Sequence, residues 1–129
     1  MNHHQEYILY EGSEFTIEWY YTSNGRSQAR TYFNALTDRQ QDKFLSLILT
    51  MGKVGKIFNR QKFNYEGDGI YAFKPQPDRF LCFFFADKKL IVTSGFRKQT
   101  QKLPKEEKQR ALRAKQDYEA REKKGTYYE

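Results

Sequence analysis

The sequence predicts an α+β fold, one small antiparallel sheet with helices packed on it, in the order β-α-α-β-β-β-α. Three observations carry that expectation. Residues 14–21, EFTIEWYY, alternate as a half-buried strand does. Two helical stripes follow, one of Ala29, Tyr32, Phe33 and Leu36, the other of Phe44, Leu47, Ile48 and Met51. Three apolar runs then come in close succession at 69–75, 79–86 and 89–96.

Taken in order, residues 1–12 have no clean period and are expected to be a loose terminus. His3 and His4 have metal-binding chemistry but sit at an end expected to fray, so no role is assigned to them. In the first strand Phe15, Ile17 and Trp19 share one face and Glu14, Thr16, Glu18 and Tyr20 the other. TSNG turns the chain into the first helix. Thr37-Asp38-Arg39-Gln40 is a capping box for the second, and Gly52 is a suitable stop. The two helices are expected to form a short antiparallel pair over the sheet.

Residues 53–69 hold three glycines, four cations and two acids, and are expected to be a long loop of functional or mobile type. GIYAFKP, RFLCFFFA and KLIVTSGF are the three strands, the middle one apolar enough to be central. Asp87-Lys88 joins the last two in a tight hairpin, and Pro75 and Pro77 bracket the earlier connection. Pro104 opens a helix over 104–124, with acids early and bases late to suit its dipole. Its apolar stripe of Ala111, Ala114 and Tyr118 is narrow, so it is expected to lie on the surface with few core contacts.

A chain of 129 residues is expected to form one domain with a core of its own. No apolar run approaches the ~20 residues of a membrane span, and the first fourteen residues lack the pattern of a signal peptide. Cys82 is the single cysteine, which rules out an intrachain disulfide and a zinc site of paired cysteines. It is expected to be a buried small hydrophobe, Trp19 to be core, and the setting to be reducing and cytoplasmic.

The net charge of +7 is unevenly spread: residues 1–50 carry −2, residues 51–102 carry +7 and residues 103–129 carry +2. A field concentrated in one part of a chain points to a polyanion, nucleic acid first; a basic surface without a partner stays open on charge alone. Catalytic sets built on histidine are excluded from the body of the chain, because His3 and His4 are its only histidines. No phosphate-loop or dinucleotide fingerprint is present, and the scattered acids do not suggest a metal cage or a cofactor. What remains is Lys, Arg and Tyr.

Strand alternation puts Ile70, Ala72 and Lys74 on one face and Tyr71 and Phe73 on the other. Antiparallel pairing brings Lys74 near Arg79, and Arg97 and Lys98 leave the last strand toward the same edge. The loop with Arg60 and Lys62 is placed to close over them, with Tyr65 or Tyr71 nearby. Each cation taken singly is as well explained by solvation. A shared rim requires an anion to offset the repulsion.

The segment from GIYAFKP through RFLCFFFADKKLIVTSGFRKQTQKLP to the final helix resembles the phage-derived branch of the RelE/HigB toxins. In that branch a GIYELR strand is followed by an Arg-hydrophobic strand, and then by a strand ending in hGFxKKTQKTP. Gly95, Phe96, Lys98, Thr100, Gln101, Lys102 and Pro104 match, and the likeness spans roughly residues 14–122. Four positions depart: Ala72 and Lys74 stand for the Glu and Arg of GIYELR, Ser94 for a frequent histidine, and Gln99 for the second lysine.

The resemblance implies a RelE-like fold and a metal-independent endoribonuclease that cuts mRNA, often on the ribosome, held by a cognate antitoxin that would be a helix-turn-helix protein. The implied chemistry is attack of an RNA 2′-OH on the adjacent phosphate. Lys74 or Lys62 would be the base, Arg79 and Arg97 the phosphate clamp, and Lys98 a backbone contact or the acid. Arg60, Lys102, Tyr65 and Tyr71 would bind RNA, Tyr71 by stacking. A gyrase-inhibiting toxin of the ParE kind, or an inactive RNA- or protein-binding module, are the alternatives.

Overall fold

A computed structural model describes residues 6–129; His3 and His4 lie outside the described residues. Six strands form one sheet: β1 (Ile8–Glu11), β2 (Thr16–Trp19), β3 (Phe63–Gly67), β4 (Ile70–Phe73), β5 (Asp78–Phe85) and β6 (Lys89–Arg97). Three helices complete the chain, α1 (Gln28–Asn34), α2 (Asp38–Val54) and α3 (Lys105–Lys123). The strand order is β1-β2-β6-β5-β4-β3. The α+β class and the central place of RFLCFFFA hold.

Two strands are additional to the expected order. β1 lies in the stretch read as a loose terminus, and β3 lies in the stretch read as a long loop. Both are short edge strands with an irregular register, so neither shows the clean period-two pattern that marks a strand in sequence. The sheet is also not wholly antiparallel. β2 and β6 pair in parallel, Thr16 opposite Lys89 through Trp19 opposite Val92. The helices between them in the chain supply the crossover that a parallel pair requires.

Alternation along the strands builds two cores. One face buries Ile17, Trp19, Phe73, Phe80, Cys82 and Val92 under Ala29 of α1 and Phe44, Ile48 and Met51 of α2. Phe44 stacks on Phe80 with ring centroids 3.9 Å apart. The other face buries Ile70, Ala72, Leu81, Phe83 and Ile91 under Ala111, Ala114 and Tyr118 of α3. The expected stripe of Ala111, Ala114 and Tyr118 is the buried face of α3, but the expectation of few core contacts is corrected, because that stripe closes a second core. Two alanines let the helix approach closely, and Tyr118 fills the core together with Tyr20 and Tyr127.

Ser27 and Thr37 cap α1 and α2, and the Thr37–Gln40 box is present in full. Gly52 does not stop α2, which runs on to Val54 and ends at Gly55, the residue whose φ of 83° suits a left-handed cap. α1 packs on β6 and α2 on β1 and β2, rather than chiefly on each other. The β5–β6 connection takes in Ala86 as well as Asp87-Lys88.

Candidate functional site

On the α3 face, beyond the start of that helix, the sheet is left uncovered. Lys74 just past β4, Arg79 near the start of β5 and Phe96 near the end of β6 meet there, and the 98–104 segment on the way to α3 lines it too. The result is a cavity of about 830 Å³. Five cations line it, Arg60, Lys74, Arg79, Lys98 and Lys102, with one carboxylate, Glu66. Asn64, Gln76, Gln99, Thr100 and Gln101 add neutral polar groups, and Ala72, Leu103 and Pro104 add apolar wall.

Arg79 forms the floor. It is only 9 % exposed. Its Nη1 donates to the Gln76 side-chain oxygen at 3.2 Å and to the Asp78 carbonyl at 2.9 Å. Among the described residues no carboxylate lies within 4 Å of the guanidinium. Burial lowers its pKa from the ordinary arginine value, opposed by the charges of Glu66 and Asp78. A buried cation with only neutral partners is costly for the fold and is the natural seat of an anion.

Lys74 stands on the rim. Its Nζ lies 3.8 Å from Glu66 Oε2 and donates to the Arg60 carbonyl at 3.4 Å. Glu66 lies two residues beyond Asn64 and so shares its cavity-facing side of β3. Tyr65 pairs with Tyr71 and Gly67 with Ile70, which leaves Glu66 between them without a partner on β4. Lys98 is tied to the neighbouring loop by its backbone N–H, which donates to the Pro77 carbonyl at 2.9 Å.

The cavity thus gathers Lys74, Arg79, Lys98, Lys102 and Arg60 of the residues singled out in the sequence. It does not gather Arg97. The register pairs Arg79 with Phe96 and Asp78 with Arg97, so Arg97 falls on the opposite face of the sheet. There Asp78 is held by the Tyr32 hydroxyl and by Gln40 Nε2 at 3.2 Å. Burial raises the Tyr32 pKa, as do its hydrogen bond and the charge of Asp78; Arg97 counteracts them.

Nor does the cavity gather the tyrosines. Tyr71 stacks on Phe63 with centroids 5.5 Å apart and meets Phe84 edge-on, as part of the α1–α2 face core. Tyr65 packs on Tyr71 and accepts a hydrogen bond from the Gly69 N–H at 3.1 Å. Lys62 lines a neighbouring cleft with Lys43, Leu47 and Pro75, which meets the main cavity at Gln61, Lys74 and Gln76. Sequence reading missed Glu66, Asn64 and Gln76. Only a recognised β3 would have put Asn64 and Glu66 on the same side as Lys74.

Gly95 explains part of the Gly-Phe string. A Cβ there would meet the Phe80 and Tyr32 rings at 2.8 Å. The Gln28 side chain also pairs with both its backbone groups, at 2.7 and 2.8 Å.

The family described as "Phage derived protein Gp49-like (DUF891)" matches residues 31–116. The chain belongs to that family. Gp49-like proteins are a phage-derived family of RelE-like toxins from toxin–antitoxin systems, so an antitoxin is the partner the family implies. No curated protein matches the chain. The matched residues take in β3 to β6 and the first half of α3, and with them every residue lining the cavity. No helix among the described residues is long and apolar enough to cross a membrane.

Proposed function

We propose that this Gp49-like chain is the toxin of a toxin–antitoxin pair and acts as an endoribonuclease on messenger RNA, with the cavity over Arg79 as its active site. The observation that carries the reading is Arg79 itself, a buried guanidinium without a carboxylate partner under four further cations. Such a floor suits one phosphodiester, held by two N–H groups at once. Lys98, Lys102 and Arg60 extend the positive surface along the flanking backbone.

In the reaction, the 2′-oxygen attacks the adjacent phosphorus as its proton is withdrawn. The bond to the 5′-oxygen breaks, and that oxygen takes a proton from a neighbouring lysine ammonium, Lys98 or Lys74. The products are a 2′,3′-cyclic phosphate and a 5′-hydroxyl. Arg79 and the lysines stabilise the extra negative charge on the phosphate oxygens. Because Lys74 already pairs with Glu66, it serves this scheme as a cation rather than as the base.

The test is inducible expression in a bacterial host, with transcript 5′ ends mapped, followed by incubation of purified protein with a synthetic message with and without ribosomes. Arrested translation and new 5′-hydroxyl ends are expected. Intact RNA together with inhibited gyrase supercoiling would replace this reading by the ParE-like one.

A further inference from the structure

The cavity holds one feature at odds with simple anion binding. Glu66 puts a negative charge into a groove otherwise built of five cations. A groove evolved only to hold a polyanion gains nothing from it, since like charges repel. Ordinary alternation from Asn64 puts Glu66 on the cavity side of β3, and the irregular register between Tyr65 and Gly67 leaves it without a direct partner on β4. Ala72, on the adjacent strand, supplies only a methyl group to the cavity wall and so leaves space over it.

The pairing of Glu66 with Lys74 is loose, at 3.8 Å, with both side chains about one-fifth exposed (18 % and 20 %). Glu66 and Lys74 line the same cavity as the Arg79 anion seat. A carboxylate next to that seat is placed to accept a proton from the sugar of a bound nucleotide.

We propose that Glu66 is the general base that takes the 2′-OH proton. The assignment rests on the nuclease reading above. The proton passes from the 2′-oxygen to a Glu66 carboxylate oxygen as the 2′-O–P bond forms. When the P–O5′ bond breaks, a lysine ammonium returns a proton to the 5′-oxygen, so charge and protons balance over the step. Lys74, 3.8 Å away, orients the Glu66 carboxylate between turnovers.

The experiment compares wild type, Glu66→Gln and Glu66→Asp on one synthetic message under the conditions in which wild type cuts it. Binding is followed separately with a 2′-deoxy oligonucleotide that cannot be cleaved. Glu66→Gln is expected to lower kcat by about 10²- to 10⁴-fold. It is also expected to bind the deoxy strand as tightly as wild type or tighter, and to lose the acid limb of the kcat–pH profile. Glu66→Asp is expected to recover part of the rate. Cutting by Glu66→Gln at the wild-type rate would overturn the assignment, as would a loss seen only as weaker binding or as unfolding. A wild type that cuts no RNA would overturn the nuclease reading first, before any variant is compared, and the assignment with it.

Discussion

Two arginines on the α3 face of the sheet, Arg121 and Arg79, show what separates its two ends. Arg121 is saturated. Its Nη2 donates to Asp117 at 2.6 Å and to the Tyr21 carbonyl at 2.6 Å, and its guanidinium lies 4.6 Å from the Tyr127 ring. Burial lowers its pKa, but the bonds to Asp117 and Tyr20 outweigh burial and leave it raised. Tyr20 in turn donates to Asp117 at 2.5 Å. Arg79 has only neutral acceptors, and its pKa is lowered. One end has spent its charge on holding α3 and the C-terminal residues to the sheet. The other keeps its charge available for something that arrives from outside.

The largest expected effect separates the two ends outright. Arg79→Met should reduce RNA cleavage by about 10²- to 10³-fold, the usual loss when one charge-stabilising donor is removed. Its melting temperature should stay level or rise, because a buried charge without an anionic partner has been removed. A parallel loss of activity and stability would make Arg79 a structural residue like Arg121.

The reverse case is Asp117→Ala. It strips Arg121 and Tyr20 of their shared acceptor and should destabilise the fold by about 1–2 kcal/mol, discounted because the Asp117 side chain is 40 % exposed. Cleavage below the melting transition should be unchanged. Urea unfolding and a cleavage assay on the same sample check both halves.

The Arg121 end should also fail in alkali. Tyr20 is pushed up to about 12 by burial and then by its bond to Asp117, and Tyr118 is pushed up to about 12 by burial. The unfolded chain releases these protons near pH ~10. Stability is therefore present below pH ~10 and lost as pH rises from there through ~12, because the folded state holds protons that the unfolded state gives up. Urea midpoints at pH 9, 10 and 11 should fall in that order. Tyr20→Phe should flatten the decline.

The smallest effects lie at the rim. Lys102→Ala should weaken RNA binding modestly and reduce the slope of log affinity against log salt by about 0.7, one phosphate contact's worth on a single strand. Arg97→Ala, on the far face, should leave cleavage within about threefold of wild type, under ~1 kcal/mol. A large loss with Arg97→Ala would restore it to the site and call for a register other than the one described.

Much of this protein can be read from local patterns. The alternation in EFTIEWYY, the stripes of α1 and α2, the Thr37–Gln40 box and the apolar runs of β4, β5 and β6 all lie in the chain within a few residues of one another. Local sterics and burial are enough to decide them. That Lys74 and Arg79 lie close together was also legible, because a short antiparallel connection leaves little choice. Cross-strand pairing decided the rest. Arg97 parts from Arg79 through the parity of the β5–β6 register, Glu66 enters the cavity because residues 63–67 pair with β4 as an edge strand, and α3 becomes a core helix because the sheet offers it a second face. None of these is periodic in sequence. Each depends on which backbone hydrogen bonds form between residues far apart in the chain, and a shift of one residue would send every side chain concerned to the other side.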